Sequence, residues 1–454
     1  MRPGRLYRLA CFAVLLCGNS VEGSVPQSSS KESNQQSPEV VLSVEDARER
    51  VLLDRIEQLE KRIETLEQSG SATALPAAVI QASTVSSVPG TTTSSQQIFP
   101  ATASEATPTW SVGPIDFSGL VDAYYSYNAN HPASQTNQLY NFDVKADQFS
   151  LNMVKLSMTH VPEPVGFQVD LGFGRAFDII HASEPGDAPS FLRNIEQAYV
   201  SIKPAKWKGF EIDFGQFVSS AGAEVLETQS NWNYSRSLLY VLAIPYYHFG
   251  VRTSFPIGKH FTGGVQVLNG WNNLEDNNSG KTLGFIGALT DTKFAWSANY
   301  YVGPENPGTN TGWRNLFDTT LLLTPNSRVN AYLNFDYGQN RQNVQDLADT
   351  ITSQLSKWYG VAGALKFQPN RTWAFTPRIE WFKDRDGFTT GVSQDVKEIT
   401  LTGEYKMAAG LLARLEYRRD WSNQPFFEKN RNPESSKSMD TVSLGILAFF
   451  GPKP

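Results

Sequence analysis

The sequence predicts an all-β protein: a transmembrane antiparallel up-and-down β-barrel of 16 strands, preceded by a short N-terminal coiled-coil helix. Residues 115–450 alternate between apolar and polar side chains with a period of two, and the connections between these runs are short and long in turn. Aromatic residues reach 12%, while charged residues make up 19%, below the roughly 25% of soluble domains. Past the first twenty residues no apolar run approaches the ~18 residues of a membrane helix, which excludes a helical membrane protein.

The N-terminus predicts a secretory signal peptide over residues 1–23. Three arginines begin the chain, an apolar run occupies residues 9–17, and small residues follow it. Cleavage after Ser20 or Gly23 fits this pattern. A lipoprotein site at Cys17 is the alternative, but it needs a small residue before the cysteine, and Leu16 is not small.

Cysteine usage agrees with export. The chain has two cysteines, Cys11 and Cys17, and both lie within the predicted signal. The mature chain would therefore hold no disulfide scaffold, no thiol nucleophile and no cysteine-ligated zinc.

A helical segment precedes the barrel. Residues 24–42 are rich in Ser, Gln, Pro and Glu and are expected to be disordered. Residues 43–68 predict a periplasmic coiled coil, in which Arg faces Glu at the flanking positions of a parallel assembly. Its seam repeats with spacings of four and three and comprises Leu52, Ile56, Leu59, Ile63 and Leu66. A lone amphipathic helix is the alternative, but it would leave this seam without a partner.

The segment 69–114 predicts a flexible linker. It is rich in Ser, Thr, Ala, Pro and Gly, and Glu105 is its one charged residue. The barrel domain is then expected over residues 115–454.

Sixteen runs with one apolar face predict half-buried strands. We expect them at 115–127, 147–160, 164–175, 193–203, 208–218, 246–256, 260–271, 281–290, 293–302, 314–324, 328–338, 357–367, 372–384, 395–406, 410–421 and 438–450.

The connections between these runs identify the kind of barrel. A short turn follows every second strand, and each of the other connections has about ten residues or more. Barrels of the outer membrane have short periplasmic turns and long extracellular loops. A soluble β-sandwich is the alternative, and it has no reason to sort its loops by side.

Five short runs resemble a known family. They are NIEQAYV at 194–200, NYSRS at 233–237, IPYYHFG at 244–250, NGWNN at 269–273 and AFFGPK at 448–453. In this combination and order they resemble the OmpL-like β-barrel porins of Gram-negative outer membranes, over about residues 115–454. The resemblance implies a channel through the outer membrane and names no solute.

Inward-facing charged residues are the candidate pore lining. Sixteen strands enclose an aqueous channel, and Arg or Lys on the lipid face would cost about 2–4 kcal/mol each near mid-bilayer. By strand parity the inward set includes Asp170, Glu211, Asp213, Arg252, Arg378, Glu380, Glu398, Glu404, Arg414, Glu416 and Arg418. The alternative for each residue is a solvated wall position. Residues 115–454 hold 30 basic and 33 acidic residues, so strong ion selectivity is not expected.

The third long loop, Ser219–Pro245, is the candidate constriction of the pore. It carries Glu224, Glu227 and Arg236, and then a nearly continuous apolar stretch at residues 238–244. An exposed loop would hardly carry such a stretch, whereas folding against the inner wall would bury it. An extra short strand and a subunit contact are the alternatives.

These patterns predict an outer-membrane porin for passive diffusion of small hydrophilic solutes, with its N-terminal segment in the periplasm. The alternative is a structural barrel that tethers the membrane to the cell wall through the coiled coil. Outer-membrane lipid surrounds the barrel, and we expect a homotrimer. The net charge of −6 argues against nucleic acid as a partner. The five histidines show no metal-binding spacing, so no enzyme, metal or cofactor is expected.

Overall fold

The computed structural model describes residues 110–182, 190–345, 351–430 and 432–451. Within these residues, sixteen antiparallel strands close into one barrel, which confirms the predicted all-β barrel and its strand number. The predicted signal peptide, disordered segment and coiled coil, with most of the linker, lie outside the described residues. No helix of the described ranges is long and apolar enough to cross a membrane.

The barrel strands follow the chain in order around the sheet. They are β1 Ile115–Asn128, β2 Gln148–His160, β3 Val165–Phe173, β4 Ile195–Ile202, β5 Glu211–Val218, β6 Tyr247–Ile257, β7 Phe261–Leu268, β8 Thr282–Thr290, β9 Phe294–Pro304, β10 Trp313–Asn326, β11 Val329–Gln345, β12 Ile351–Phe367, β13 Trp373–Asp384, β14 Gln394–Ala408, β15 Leu411–Ser422 and β16 Ser438–Phe450.

The first and last strands close the barrel. β16 pairs with β15 on one side and with β1 on the other, from Thr441 opposite Asn128 to Phe450 opposite Gly119. A three-residue strand, Trp110–Val112, also pairs with the beginning of β1. Strand pairing thus begins within the last residues of the predicted linker.

The two faces of the barrel differ as the alternation predicts. Outward side chains are large and apolar, for example Phe149, Ile379 and Leu415, which are 86%, 64% and 59% exposed. Their inward neighbours are mostly polar or charged and are buried. A barrel with an apolar exterior is suited to a lipid environment.

Two β-bulges interrupt the alternation. Asn152 in β2 and Glu196 in β4 are the extra residues, because the pairing register passes over each of them. As a result Asn152 and Met153 are both buried, and so are Glu196 and Gln197.

The connections contain short helices and one hairpin. α1 is Arg175–Ile180, α2 is Leu238–Leu242, and single 3₁₀ turns occupy Ser190–Asn194, Ala205–Trp207 and Thr228–Ser230. The strands Phe427–Lys429 and Asn432–Ser436 pair as a hairpin between β15 and β16.

One predicted long loop is largely strand. β11 and β12 pair from Val329 opposite Phe367 to Gln345 opposite Ile351, beyond the predicted ends at 338 and 357. The added residues are mainly polar, so they lack the one-sided apolar pattern that predicts a strand. The strand pair nevertheless continues through them, because main-chain pairing does not depend on apolar side chains.

Candidate functional site

The predicted pore-lining residues all lie on the inner face of the barrel and are buried. This holds for the acidic and basic members of the set from β3, β5, β6 and β13–β15: Asp170, Glu211, Asp213, Arg252, Arg378, Glu380, Glu398, Glu404, Arg414, Glu416 and Arg418. They do not form one cluster, because three of the arginines contact the connection between β5 and β6 whereas Asp213 and Arg252 pair with one another.

Residues 219–246, here called the lumen loop, connect β5 to β6 and lie inside the barrel. The Ser220 hydroxyl lies 2.9 Å from Asn299 Oδ1 and 2.7 Å from Tyr301 Oη, both on β9. On the β12 side, Trp358 Nε1 donates to the carbonyl of Ala243 at 3.1 Å. The loop therefore spans the interior between separate parts of the wall.

Three wall arginines bind the main chain of the lumen loop. Arg414 on β15 donates to the carbonyls of Thr228, Asn231 and Asn233 at 2.6, 2.5 and 2.9 Å. Carbonyl oxygens in a loop otherwise bind water, and a buried one without a partner costs free energy. Arg414 thus replaces water for one turn of the loop.

Arg378 and Arg418 extend this arrangement along the wall. Arg378 Nη1 donates to the carbonyl of Ser235 and to Glu224 Oε1, at 2.8 Å each. Arg418 Nη1 donates to the carbonyl of Arg236 at 2.7 Å. We call Arg378, Arg414 and Arg418 the arginine clamp.

Wall and loop carboxylates bind the amide groups of the same segment. Glu416 accepts from the backbone N–H of Tyr234 at 2.6 Å and of Ser235 at 2.9 Å. Glu224 accepts from the N–H of Ser237 at 2.6 Å. Charge-assisted hydrogen bonds of this kind are stronger than neutral ones, so the central loop is held through both kinds of main-chain group.

Arg236 lies within the loop rather than facing open lumen. Its guanidinium donates to the carbonyls of Val225 at 2.8 Å and Tyr234 at 2.6 Å, and it also binds the carbonyl of Leu226. It lies 5.3 Å from the centre of the Phe142 ring. Arg236 therefore stabilises the fold of the loop by binding the loop's own carbonyl groups.

Glu227 belongs to a separate buried cluster, whose other members come from β2, β3 and β4. Lys155 Nζ lies 3.0 Å from Asp170 and 2.9 Å from Glu196, and it also binds Glu227. The three carboxylates have the spacing of a metal-ion group. The lysine ammonium contacts all three of them, so it supplies the cation, and a metal ion is not required.

The apolar stretch of the lumen loop is mostly helical. α2 begins after Ser237, whose hydroxyl accepts from the N–H of Tyr240 at 3.1 Å. Leu238 and Leu239 are fully buried and the helix packs on β12 and β13. The alternative of an extra strand is wrong, because the cap and the packed apolar side chains favour a helical turn.

A glycine on β16 allows the loop to approach the wall closely. The ring of Tyr234 lies against Gly445, where a β-carbon would overlap it. Tyr234 Oη then donates to Asp122 Oδ1 on β1 at 2.8 Å. Strand parity alone could have placed Asp122 on the inner face, but it could not have identified Tyr234 as its partner in the loop.

The loop between β1 and β2, residues 129–147, also reaches the interior. Asn141 binds the Tyr246 hydroxyl, and the ring of Phe142 packs against Tyr240 and Tyr246 at 5.9 Å between ring centres. Residues 129–147 contain no continuous apolar stretch that would have predicted this contact. It links an outer loop to the lumen loop.

Asp143 in this loop should make the free energy of unfolding depend on pH. Burial, and secondly the nearby Glu416 carboxylate, raise the pKa of Asp143 to about 7. An unfolded chain releases this proton near pH 4. The stabilising contribution is therefore fully present below pH 4 and is lost as pH rises through about 7, by on the order of 4 kcal/mol for about three pKa units.

The Asp143→Asn variant should lose this part of the pH dependence. Urea unfolding in detergent between pH 4 and pH 8 measures it, with Asp178→Asn as the control because Asp178 is exposed on α1. A variant whose stability declines with pH as steeply as that of the wild type would contradict the assignment.

Comparison with known proteins agrees with this architecture. The sequence model of the family described as "Putative beta-barrel porin-2, OmpL-like" matches residues 114–450. No curated protein matches the chain.

Solved structures of outer-membrane proteins are similar to it at low identity. OmpT of Vibrio cholerae is 11% identical with a TM-score of 0.49, covering 76% of this chain and 100% of its own. The channel DcaP of Acinetobacter baumannii is 13% identical with a TM-score of 0.48, covering 74% and 97%. OmpF of Salmonella typhi, solved with daunomycin, is 14% identical with a TM-score of 0.46, covering 74% and 97%. The family match spans the whole barrel, and the chain belongs to the OmpL-like β-barrel porin family.

Proposed function

We propose that the protein is an outer-membrane porin that lets small hydrophilic solutes diffuse passively across the outer membrane of a Gram-negative bacterium. The observation that carries the proposal is a sixteen-strand barrel with an apolar exterior and an interior lined by charged side chains. Such an interior is expected where water and solutes pass. Membership in the porin family supports the same function.

Planar-bilayer recording tests the channel directly. Purified full-length protein should insert and give stepwise ionic currents in KCl. Detergent-folded protein that inserts but carries no current would refute the porin function. Heat-modifiable migration in gels provides the folding control.

We further propose that the lumen loop sets the width of the channel. Replacing Glu224, Glu227 and Arg236 together by Ala should change single-channel conductance, because these side chains hold the loop in its path. A conductance equal to that of the wild type would refute the constriction while leaving the channel itself in place.

The tethering function is a second candidate, and the close packing of the lumen loop favours it. Clamp residues and loop side chains such as Arg378 and Leu238 are fully buried, so the loop fills much of the interior. A barrel used only as an anchor needs no continuous pore. The absence of current, together with cell-wall attachment that depends on residues 43–68, would favour the tether.

We propose a signal peptide, a periplasmic N-terminal segment and a homotrimer. The short coiled coil leans toward two strands by its Ile and Leu placement. It has too few turns to direct assembly by itself, whereas barrel walls bury far more surface. The trimer should therefore persist in native mass spectrometry when residues 24–114 are removed. A monomer in both forms would refute it, and loss of the trimer on truncation would assign assembly to the coiled coil.

A further inference from the structure

The buried charges of the barrel are strongly unequal in sign. Among the buried side chains of the described residues, seventeen are acidic and seven are basic. This contrasts with the near balance of the whole barrel domain, 33 acidic and 30 basic residues. Outside this buried set, basic residues therefore outnumber acidic ones, and the interior of the barrel is acidic.

The buried basic groups are already engaged. Six of the seven form ion pairs with buried carboxylates, including Arg252 with Asp213 at 2.7 Å and Arg414 with Glu404 at 2.8 Å. The seventh, Arg236, binds loop carbonyls. The buried basic groups therefore do not neutralise the acidic excess, although the partly exposed Lys203 pairs with Glu211 at 2.9 Å.

The most exceptional part of this excess is a pair of aspartates on adjacent strands. Asp318 on β10 lies directly opposite Asp336 on β11, and both are fully buried on the inner face. Within the described ranges neither carboxylate forms an ion pair. Like charges in this position are destabilising unless something neutralises them.

The hydrogen-bonding neighbours of the pair are N–H donors, and no cation lies among them in the described residues. Asp318 accepts from the amide groups of Asn299 at 2.7 Å and Asn334 at 2.9 Å. Neither oxygen of Asp336 accepts a hydrogen bond, and the buried hydroxyl of Thr320 is also unpartnered. Carboxylate and hydroxyl oxygens are ligands that hard cations prefer, and the unpartnered atoms of Asp336 and Thr320 are of these two kinds.

Asp336 lies on β11, two strands from Arg378 on β13, which is the nearest member of the arginine clamp. Asn299, which binds Asp318, also contacts Ser220 at the beginning of the lumen loop. The clamp is on β13 and β15, where its guanidinium groups are taken up by loop carbonyls. The clamp arginines are paired with other carboxylates and, within the described ranges, form no ion pair with Asp318 or Asp336.

We infer that the channel selects small cations over anions and that the Asp318–Asp336 pair is its principal cation-binding point. This inference rests on the proposed porin function. A lumen with excess fixed negative charge concentrates cations and repels anions. It departs from the expectation, drawn from overall composition, that the channel has no strong ion selectivity.

The test is the reversal potential of the full-length channel in a KCl gradient. The wild type should be more permeable to K⁺ than to Cl⁻, and the Asp318→Asn/Asp336→Asn variant should shift this ratio toward one. Asn keeps the shape of Asp and removes its charge. The control, Asp178→Asn, removes an exposed charge on α1, in the connection between β3 and β4, and should keep the wild-type ratio.

The outcomes separate the inference from the function on which it rests. Current with equal or greater permeability to Cl⁻ would overturn the selectivity and leave the porin function intact. Cation preference that is unchanged in the double variant would overturn the assignment to the aspartate pair, and the single Asp336→Asn variant repeats this test with a smaller change. A complete lack of current in folded wild-type protein would overturn both.

Discussion

The Arg414→Met variant is expected to show a higher and more variable single-channel conductance than the wild type. Met retains most of the volume of the side chain but removes its five donors. The carbonyls of Thr228, Asn231 and Asn233 would then lack their partner, and Glu404 would lose its hydrogen-bonded counter-ion. The central turn of the lumen loop should detach from the wall and leave more room for ions.

A matched control is available on the outer face of the same strand. Arg419 on the same strand points outward, is about half exposed and pairs with Asp440. Exposed pairs of this kind contribute about 0–1 kcal/mol, so Arg419→Met should conduct like the wild type. Equal conductance in both variants would show that the clamp does not set the width of the pore.

The Lys155→Met variant is expected to lose the most stability. Loss of the lysine ammonium would leave three carboxylates buried side by side with no cation between them, those of Asp170, Glu196 and Glu227. Removing one partner of a buried ion pair costs about 3–5 kcal/mol, and here three carboxylates lose the same partner. The urea midpoint in detergent should fall markedly at neutral pH.

Acid should reverse much of this loss, because protonated carboxyl groups no longer repel one another. Lys397→Met is the control, since Lys397 is exposed on the outer side of β14. A midpoint that falls equally at low and neutral pH would point to lost packing volume rather than to electrostatics.

The fold could be predicted because two simple physical rules act on every strand. A lipid-facing side chain must be apolar, and the thickness of the bilayer sets the length of a strand. The alternating pattern therefore predicts both the outer face and the approximate length of each strand. The polar ends of β11 and β12 escaped prediction because neither rule applies outside the membrane. The bulge at Glu196 was not predicted, because one extra residue exchanges the inward and outward positions of a strand without changing its composition.

The interior could be predicted only in part. Parity placed Asp170, Arg378 and Arg414 correctly on the inner face, since each sits in a regular strand. Which of them would bind the lumen loop depends on contacts between residues far apart in sequence, such as Arg414 with Thr228. The same parity would have placed Asp318 and Asp336 inside, but their lack of counter-ions emerges only from the packed structure.

The pairing of β1 with β16 has a consequence for biogenesis. Asn128 meets Thr441 only when nearly the whole domain has been made, so the seam is a highly non-local contact and closes late. Until then both strands carry unpaired main-chain groups, which hydrocarbon does not tolerate. A chain interrupted before its last strand would accordingly give no smaller channel but an open-edged sheet, exposed to periplasmic proteases, so the seam acts as a checkpoint for completeness.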